Sequence, residues 1–390
     1  MRILHVVVGL DPALGGPPAV ALRLAAAQAK AGHAVTLAAH DAPARREAID
    51  KSLKPIPFID QVRIAALLPE VRAGWFISKP ALDALNAAIA HADVVHLHGL
   101  WEPLIREAAV NAHRQGKPYI LTPHGMLDPW SLQQRWLKKK LAMLLVFRRV
   151  LQRAARLHLL NDDEVELLKP LGLKTPSVVI PNGVFLEEIE PLPARGAFRA
   201  KHPELGNDRF VLFLSRLHYK KGLDHLAGAF AIVAKAVASV RLVVAGPDEG
   251  ARGDFESRIA AAGLTDRTHI VGPLWGRDKF AAMVDAACFC LPSRQEGFSM
   301  AITEAMACGS PVVISQACHF PEVGEVGAGE VVTLDDASVA AALLRIVSND
   351  AEAMKMGQAG RELVRSRYTW PVIADRALAT YQHMLAERAR

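Results

Sequence analysis

No stretch of this 390-residue chain approaches the ~18 consecutive apolar residues that a membrane-spanning helix needs. The apolar start, Met1 to Leu10, is short and runs straight into a Gly/Pro loop, which fits a first buried strand better than a secretory leader. A cytoplasmic location is the expectation. Cysteine is scarce, with only Cys288, Cys290, Cys308 and Cys318, all in the C-terminal half and mostly inside apolar runs. Cys288 and Cys290 lie two apart on an expected strand and so share one face, but they sit in an apolar run where no disulfide or thiolate metal site is expected. Buried reduced thiols are expected instead. Low-complexity tracts and short-period repeats are absent, as are the compositions of disordered or collagen-like chains.

What the chain does have is apolar content: 51% of its residues are hydrophobic, enough for two domains of roughly 180 residues each. Its net charge is +6, but the excess is local. Residues 135–156 hold Arg135, Lys138, Lys139, Lys140, Arg148, Arg149, Arg153 and Arg156 with no acid, leaving a net −2 for the rest. A charge confined to one segment argues against a broad nucleic-acid-binding surface.

Short β-rich runs alternate with helical patterns. Ile3–Val8, Ala34–Ala39, Asp93–His98, Pro118–Thr122, Arg156–Leu160 and Val178–Ile180 are expected strands, separated mostly by helical stretches such as Ala19–Ala31 and Pro103–Gln115. This is the βαβ signature of a parallel sheet, and the apolar strands fit sheets buried on both faces. Residues 186–209 carry Pro191, Pro193, Gly196, Pro203 and Gly206 among many charges and are expected to be a linker. The alternation restarts with Phe210–Ser215, Arg241–Ala245, Thr268–Val271, Ala287–Leu291 and Pro311–Ile314. The expected fold class is therefore α/β, with two doubly wound Rossmann-like domains, 1–185 and 210–370, facing across a cleft. Residues 371–390 form a last helix free to pack on either domain, back on the N-terminal one included. Ligands of such sheets bind beyond the carboxyl ends of the strands.

Two constellations in the C-terminal half carry chemistry. The first strand there ends at Ser215-Arg216-Leu217-His218-Tyr219-Lys220-Lys221-Gly222, just before a helix. A forked Arg216 and a mobile Lys221 beside a helix start suit a diphosphate; a solvated basic turn is the alternative. The second runs Pro292-Ser293-Arg294-Gln295-Glu296-Gly297-Phe298-Ser299-Met300-Ala301-Ile302-Thr303-Glu304, and its helix stops at Gly309. Ser299 stands at the N-cap position, with the amides of Met300 and Ala301 available to an anion. Glu296 lies in the strand-end loop and Glu304 about one and a half turns into the helix, and a carboxylate is a good acceptor for ribose hydroxyls. The apolar or small neighbours of Glu304 argue against its being a mere surface residue.

Arg216-x4-Lys221-Gly222 followed by Glu296-x7-Glu304 closely resembles the retaining glycosyltransferases of group 1, family 4, which have the GT-B fold. The likeness covers nearly the whole chain, with Gly15-Gly16, "AGHAV" at 31–35, "DVVHLHG" at 93–99, "TPHGML" at 122–127 and "PNGV" at 181–184 in order. Such a resemblance implies an enzyme of hexosyltransferase type that moves a sugar from a nucleotide-diphosphate sugar to a glycan or lipid-linked acceptor, as in surface polysaccharide synthesis. It implies that Arg216 and Lys221 bind the diphosphate and stabilise the leaving nucleotide. Glu304 would hold the ribose, and Glu296, Gly297, Phe298 and Ser299 would line the sugar pocket. The amides of Met300 and Ala301, with Gly16, would approach the phosphates. His124 would sit beside the transferred sugar; Gly15 and Asn182 would shape the cleft. Catalytic roles thus fall to Glu296, His124, Arg216 and Lys221. The family transfers with retention, and the leaving phosphate helps deprotonate the acceptor. No cofactor or metal is expected: no clear Asp-x-Asp motif is present, and cationic side chains with a helix start can neutralise the leaving group. Asp162-Asp163-Glu164 is expected to cap a helix. Two departures from the family pattern are Phe185, where Asp often follows Asn-Gly-Val, and Ser299, where Gly is common.

His96, His98 and His124 raise a metal hypothesis, since the first two share a strand face. No carboxylate or thiolate completes a zinc spacing, so packing and hydrogen bonding are expected instead. In residues 131–154, Trp136, Met143, Phe147, Val150 and Ala154 fall on one helical face, with Lys138, Arg149, Arg153 and Arg156 near the opposite side. That face either is solvated or meets an anionic membrane surface through Lys138, Arg149 and Arg153. A nucleotide-sugar epimerase, or a non-catalytic subunit of a glycan assembly complex, are the competing functions; four intact charged donor residues disfavour the latter.

Overall fold

Two all-parallel sheets organise the chain in the computed structural model, which describes residues 1–40, 42–67, 77–128, 131–132 and 136–389. They belong to two compact units, Met1–Phe185 with Trp370–Arg390, and Leu186–Thr369.

The first unit holds β1 (Arg2–Gly9), β2 (Ala34–His40), β3 (Arg63–Leu67), β4 (Val94–His98), β5 (Tyr119–Thr122), β6 (Arg156–Leu159) and β7 (Ser177–Val179). Their spatial order is β3-β2-β1-β4-β5-β6-β7. All five residues of β4 are buried, as a strand covered on both faces requires. Register aligns His5 with His96, and His98 with Thr122, so the histidine side chains stand side by side. Leu97, Ile105, Tyr119, Leu121 and Phe147 lie in the core beneath them.

The second unit holds β8 (Arg209–Leu214), β9 (Val240–Ala245), β10 (Thr268–Gly272), β11 (Cys288–Leu291), β12 (Val312–Ser315) and β13 (Gly329–Val332), in the order β10-β9-β8-β11-β12-β13. Phe210, Phe213, Phe230 and Phe289 are fully buried, each stabilising the fold by about 2 kcal/mol of apolar transfer. The strand order reverses between β1 and β4 and again between β8 and β11; these switch points are where doubly wound sheets open a ligand crevice. All four cysteines are buried free thiols, and burial pushes Cys288, Cys308 and Cys318 up to about 12.

Three expectations need correction. Residues 186–209 are not a linker but part of the second unit. Ile189, Phe198 and Leu205 are buried, and the Asp285 carboxylate accepts from the amides of Gly196, Phe198 and Arg199. Proline, glycine and charge mark its turns while three apolar side chains anchor it. The sheets also gain the edge strands β3 and β13, whose alanine- and glycine-containing sequences carry little β signal.

The third correction concerns the phase of the basic helix. A π-helical turn at Met143–Phe147 joins the helices Trp136–Ala142 and Arg148–Arg153. The wider turn rotates the first of these helices about the axis relative to the second. Phe147, Val150 and Ala154 are buried as the periodicity requires, but Trp136 is 55% exposed, and so are Leu137, Leu141, Leu144 and Leu145 to similar or greater extents. Arg156 is not on this helix at all: it opens β6 and pairs with Glu387 at 2.7 Å. Arg135 lies outside the described residues.

The last helix, left open between the two domains, falls to the first. Trp370–Ala389 belongs to that unit, where it packs on the helix Gly16–Lys30, and the Trp370 amide donates to the Val184 carbonyl.

Candidate active site

In the second unit, β8 ends at Leu214 and β11 at Leu291, side by side in the sheet, so their following loops share one end. The β8 loop closes with a single turn at Tyr219–Lys221, after which Gly222 (φ 68°) opens the helix Leu223–Ala236. A Cβ on Gly222 would fall 1.8 Å from the Pro292 carbonyl oxygen, so only glycine lets the two loops approach this closely.

That approach brings Lys221 onto Glu296. Lys221 Nζ donates to Glu296 Oε1 at 2.6 Å, and the Ser293 hydroxyl donates to the same oxygen at 2.5 Å. The side chains are 11% and 8% exposed, so both charges are withdrawn from bulk water. The loop is braced by Arg294, which forks onto Asp224 at 2.6 and 2.8 Å and stacks on Tyr219. The Arg294 hydrogen bonds hold the Asp224 carboxyl down at about 2. Arg216 is 59% exposed and reaches Glu249 at 2.9 Å.

The helix Met300–Ala307 begins at Ser299, whose side chain makes no cap bond. The amides of Met300 and Ala301 therefore have no hydroxyl partner from the cap residue, as an anion site at a helix start requires. Phe298 packs against Phe320 and Tyr368, fixing the loop that contains Gly297. Glu304, half-buried, accepts from Lys279 Nζ at 2.7 Å. Arg216, Lys221, Glu296, Gly297, Phe298, Ser299, Met300, Ala301 and Glu304 thus all belong to the β8 and β11 ends or to the helix that follows. The sequence did not reveal Lys279, Glu249 or the Arg294–Asp224 fork as parts of this arrangement, because each joins segments distant along the chain, whereas Ser293 lies three residues from Glu296 within the loop already singled out.

In the first unit, Gly15 (φ 85°) and Gly16 open the helix Gly16–Lys30 after β1. A Cβ at either position would meet no atom of the described residues within 4 Å, so none of them forbids a side chain at Gly16. His124 follows β5 with φ 53°, a left-handed conformation uncommon outside glycine. Its Nε2 lies 3.2 Å from Nδ1 of His98. Asn182 is buried after β7, and Phe185, the departure from the expected pattern, fills the core against Phe58.

Five imidazoles, His5, His96, His98, His124 and His158, cluster beneath the strand ends. Burial lowers His5 and His158 to about 4 and His124 to about 3, so each is neutral at pH 7. Among the described residues His5, His96 and His98 are the one group close enough to hold a metal, yet every ring nitrogen of the three already has a hydrogen-bond partner. The helix Asp162–Leu168 is capped by Asn161, one residue before the acidic run that was expected to cap it; Asp162, Asp163 and Glu164 instead fill its first turn, where Glu164 accepts from the Leu160 amide. Burial raises Glu164 to about 7. Lys138, Arg149 and Arg153 are exposed.

Residues 14–188 match the family model Glycosyltransferase Family 4, and residues 194–363 match Glycosyl transferases group 1. A phosphatidyl-myo-inositol mannosyltransferase of Mycobacterium leprae is 31% identical over 310 residues, covering 74% of this chain and 73% of that protein. The chain belongs to the group 1, family 4 glycosyltransferases. A second relative of this glycosyltransferase, the GDP-mannose:cellobiosyl-diphosphopolyprenol alpha-mannosyltransferase of Xanthomonas campestris, is 26% identical over 99% of this chain and 97% of its own. Among solved structures, Thermosynechococcus elongatus sucrose-phosphate synthase superposes with TM-score 0.74 at 21% identity, covering 99% of both chains. Anabaena HepE, in complex with UDP and glucose, does so with TM-score 0.77 at 18% identity, covering 98% of this chain and 100% of that one. Both share the fold of two Rossmann-like domains. The two matched segments of the glycosyltransferase correspond to its two sheets, and among the described residues no helix is long and apolar enough to cross a membrane.

Proposed function

We propose that this glycosyltransferase moves a hexose from a nucleoside-diphosphate sugar to a lipid-linked or glycan acceptor, retaining the anomeric configuration and using no metal. The observation that carries this reading is the withdrawn Lys221–Glu296 pair beside the start of the helix Met300–Ala307. A lysine held there by a carboxylate and a hydroxyl is pre-oriented for a diphosphate, and the helix start adds amide donors and positive dipole. Arg216, exposed on its loop, swings from Glu249 to a phosphate oxygen as a fork. Glu304 accepts from the ribose hydroxyls, with Lys279 holding it in place through their hydrogen bond. Gly297, Phe298 and Ser299 line the sugar, and Gly16 brings bare backbone to the phosphates. His124 offers a ring nitrogen to a hydroxyl of the transferred sugar, while Gly15 and Asn182 shape its surroundings. In the transfer the bond from the anomeric carbon to the phosphate oxygen breaks and the bond to the acceptor oxygen forms. The acceptor proton passes to the departing phosphate.

The names of the relatives support a sugar acceptor carried on a lipid: one is a phosphatidyl-myo-inositol mannosyltransferase and the other acts on a cellobiosyl-diphosphopolyprenol. For this chain, an acceptor of that kind fits our reading of surface glycan synthesis at the cytoplasmic face of a membrane. A second observation favours contact with that face. Leu137, Leu141, Leu144 and Leu145 are exposed within a few residues of exposed Lys138, Lys140 and Arg149, with Arg153 further along. Leucines with flanking cations are how an interfacial helix enters an anionic lipid surface.

The deciding experiment incubates the protein with UDP-, GDP- and ADP-sugars in chelator and measures nucleoside diphosphate release, with lipid and glycan extracts as acceptors. Release from one donor, lost in Lys221→Ala, supports the reading. Conversion of the sugar without release would make the protein an epimerase. No release from any donor would make it a binding subunit.

A further inference from the structure

The buried histidines of the first unit form one hydrogen-bonded line. Its links are Ile180 O to His158 Nε2 at 2.6 Å, His158 Nδ1 to His96 Nε2 at 3.4 Å, and His96 Nδ1 to Tyr381 Oη at 2.6 Å. Gln28 comes next, donating from Nε2 to Tyr381 Oη at 3.2 Å and accepting on Oε1 from His5 Nε2 at 2.7 Å. Then come His5 Nδ1 to His98 Nε2 at 2.9 Å and His98 Nδ1 to His124 Nε2 at 3.2 Å. Thr122 Oγ1 also lies 2.7 Å from His96 Nε2. Among the described residues, none offers a hydrogen bond to Nδ1 of His124.

A line of neutral imidazoles carries one proton per ring, so its direction must be the same throughout. One end decides it, because a backbone carbonyl only accepts. His158 must therefore donate from Nε2 to Ile180, which leaves its Nδ1 a lone pair facing His96. His96 answers with Nε2–H, shared with Thr122, and its Nδ1 accepts from the Tyr381 hydroxyl. Tyr381 then accepts from the Gln28 amide nitrogen, and the Gln28 oxygen accepts from His5. His5 accepts from His98 and His98 from His124. Turning the Gln28 amide around would reverse every link beyond it, but it would also set two lone pairs against each other at 3.4 Å between His96 and His158.

The geometry points to a function for this line: the Ile180 carbonyl, acting through Gln28 and Tyr381, fixes His124 as its Nε2–H tautomer, so that Nδ1 is a pure acceptor for a substrate hydroxyl. Gln28 and Tyr381 are positioning residues, since neither touches the reacting atoms. The use made of Nδ1 rests on the reading of His124 given above; the tautomer itself does not. The left-handed backbone at His124 holds the ring in line with His98 and leaves its other edge for the ligand.

Histidine-selective nitrogen-15 NMR at pH 7 reads the tautomer directly, with the His124 signals identified by their loss in His124→Gln. The expected spectrum shows a protonated Nε2 and a lone-pair Nδ1. Gln28→Leu removes the acceptor for His5 and should give His124 a mixture of tautomers, with kcat falling about tenfold, the scale of one misdirected hydrogen bond. Gln28→Glu, protonated in this buried site, still accepts from His5 and donates to Tyr381, and should restore the single tautomer. Tyr381→Phe, which frees the amide to turn, should act as Gln28→Leu does. An Nδ1–H ring in the wild type, or an unaltered His124 spectrum in Gln28→Leu, would overturn the inference. Full activity in His124→Gln beside the expected wild-type spectrum would instead remove the role of His124 and leave the line intact.

Discussion

Lys221 and Glu296 meet at 2.6 Å across two neighbouring strand-end loops, with Ser293 donating to the same carboxylate oxygen. Truncating one member strands the other with little water to replace it. Lys221→Ala is expected to lower kcat for nucleotide release by at least about 100-fold, as loss of a preorganised charge-stabilising donor does. It should also cost about 3 kcal/mol of stability through the uncompensated Glu296. A rate assay with a thermal melt checks both, and wild-type kcat in a stably folded Lys221→Ala protein would remove the diphosphate role.

Glu304 and Lys279 give a different signature. Because Lys279 touches Glu304 at 2.7 Å, Lys279→Ala should mimic Glu304→Gln: KM for the donor rises about tenfold while kcat changes little, the pattern of lost uniform binding. Donor titrations of both variants test it, and a donor KM insensitive to either change would count against ribose binding here.

Stability should depend on pH in two opposed ways. His5 and His158 lie at about 4 and His124 at about 3 in the fold, against an ordinary 6.5, because burial disfavours their charged forms. The unfolded chain binds those protons first, so their contribution is complete above pH 6.5 and is lost as pH falls towards 4. Glu164 runs the other way. Burial raises it from an ordinary 4.5 to about 7, so the fold is favoured while it is protonated and loses that advantage as pH rises from 4.5 to 7. Thermal melts from pH 4 to 8 should fall steeply on the acid side, and Glu164→Gln should flatten the decline that Glu164 contributes towards neutrality. A Glu164→Gln melting curve parallel to the wild type throughout would refute the Glu164 assignment.

The exposed leucines predict how the protein meets a vesicle. Leu144→Asp should abolish sedimentation with anionic vesicles, and replacing Lys138, Arg149 and Arg153 with Gln should abolish it at physiological salt. Neither change should alter turnover on a soluble acceptor. Unchanged co-sedimentation of the Leu144→Asp protein would defeat the interfacial reading.

Legibility in the sequence followed locality. Strand β8 could be read because Phe210–Leu214 is a continuous apolar run, β4 because its valines and leucine form a short β-rich run between helical stretches, and the Glu296-to-Glu304 spacing because a helix start converts sequence distance into space. Edge strand β3 could not, since alanine-rich Arg63–Leu67 has no strong propensity. The phase of the basic helix failed at one π turn, which no residue pattern announces. Lys279, His5, Gln28 and Tyr381 were illegible for another reason: their partners are 25, 93, 353 and 285 residues away, at distances the fold alone closes. Phe185 stood out as a departure from a family pattern, and its buried place against Phe58 explains it as packing.

The helix Trp370–Ala389 completes the first unit only after the whole of the second has intervened in the chain. On the ribosome, the amino-terminal sheet therefore emerges with Gln28 and His96 lacking their phenol, and it waits while residues 186–369 are made. The second unit is free to fold as soon as it is out, whereas the first cannot close its polar interior until the final helix arrives. Nascent chains stalled before Trp370 should hold a protease-resistant second unit beside a still-cleavable first one, so the half that is translated first is the half that matures last.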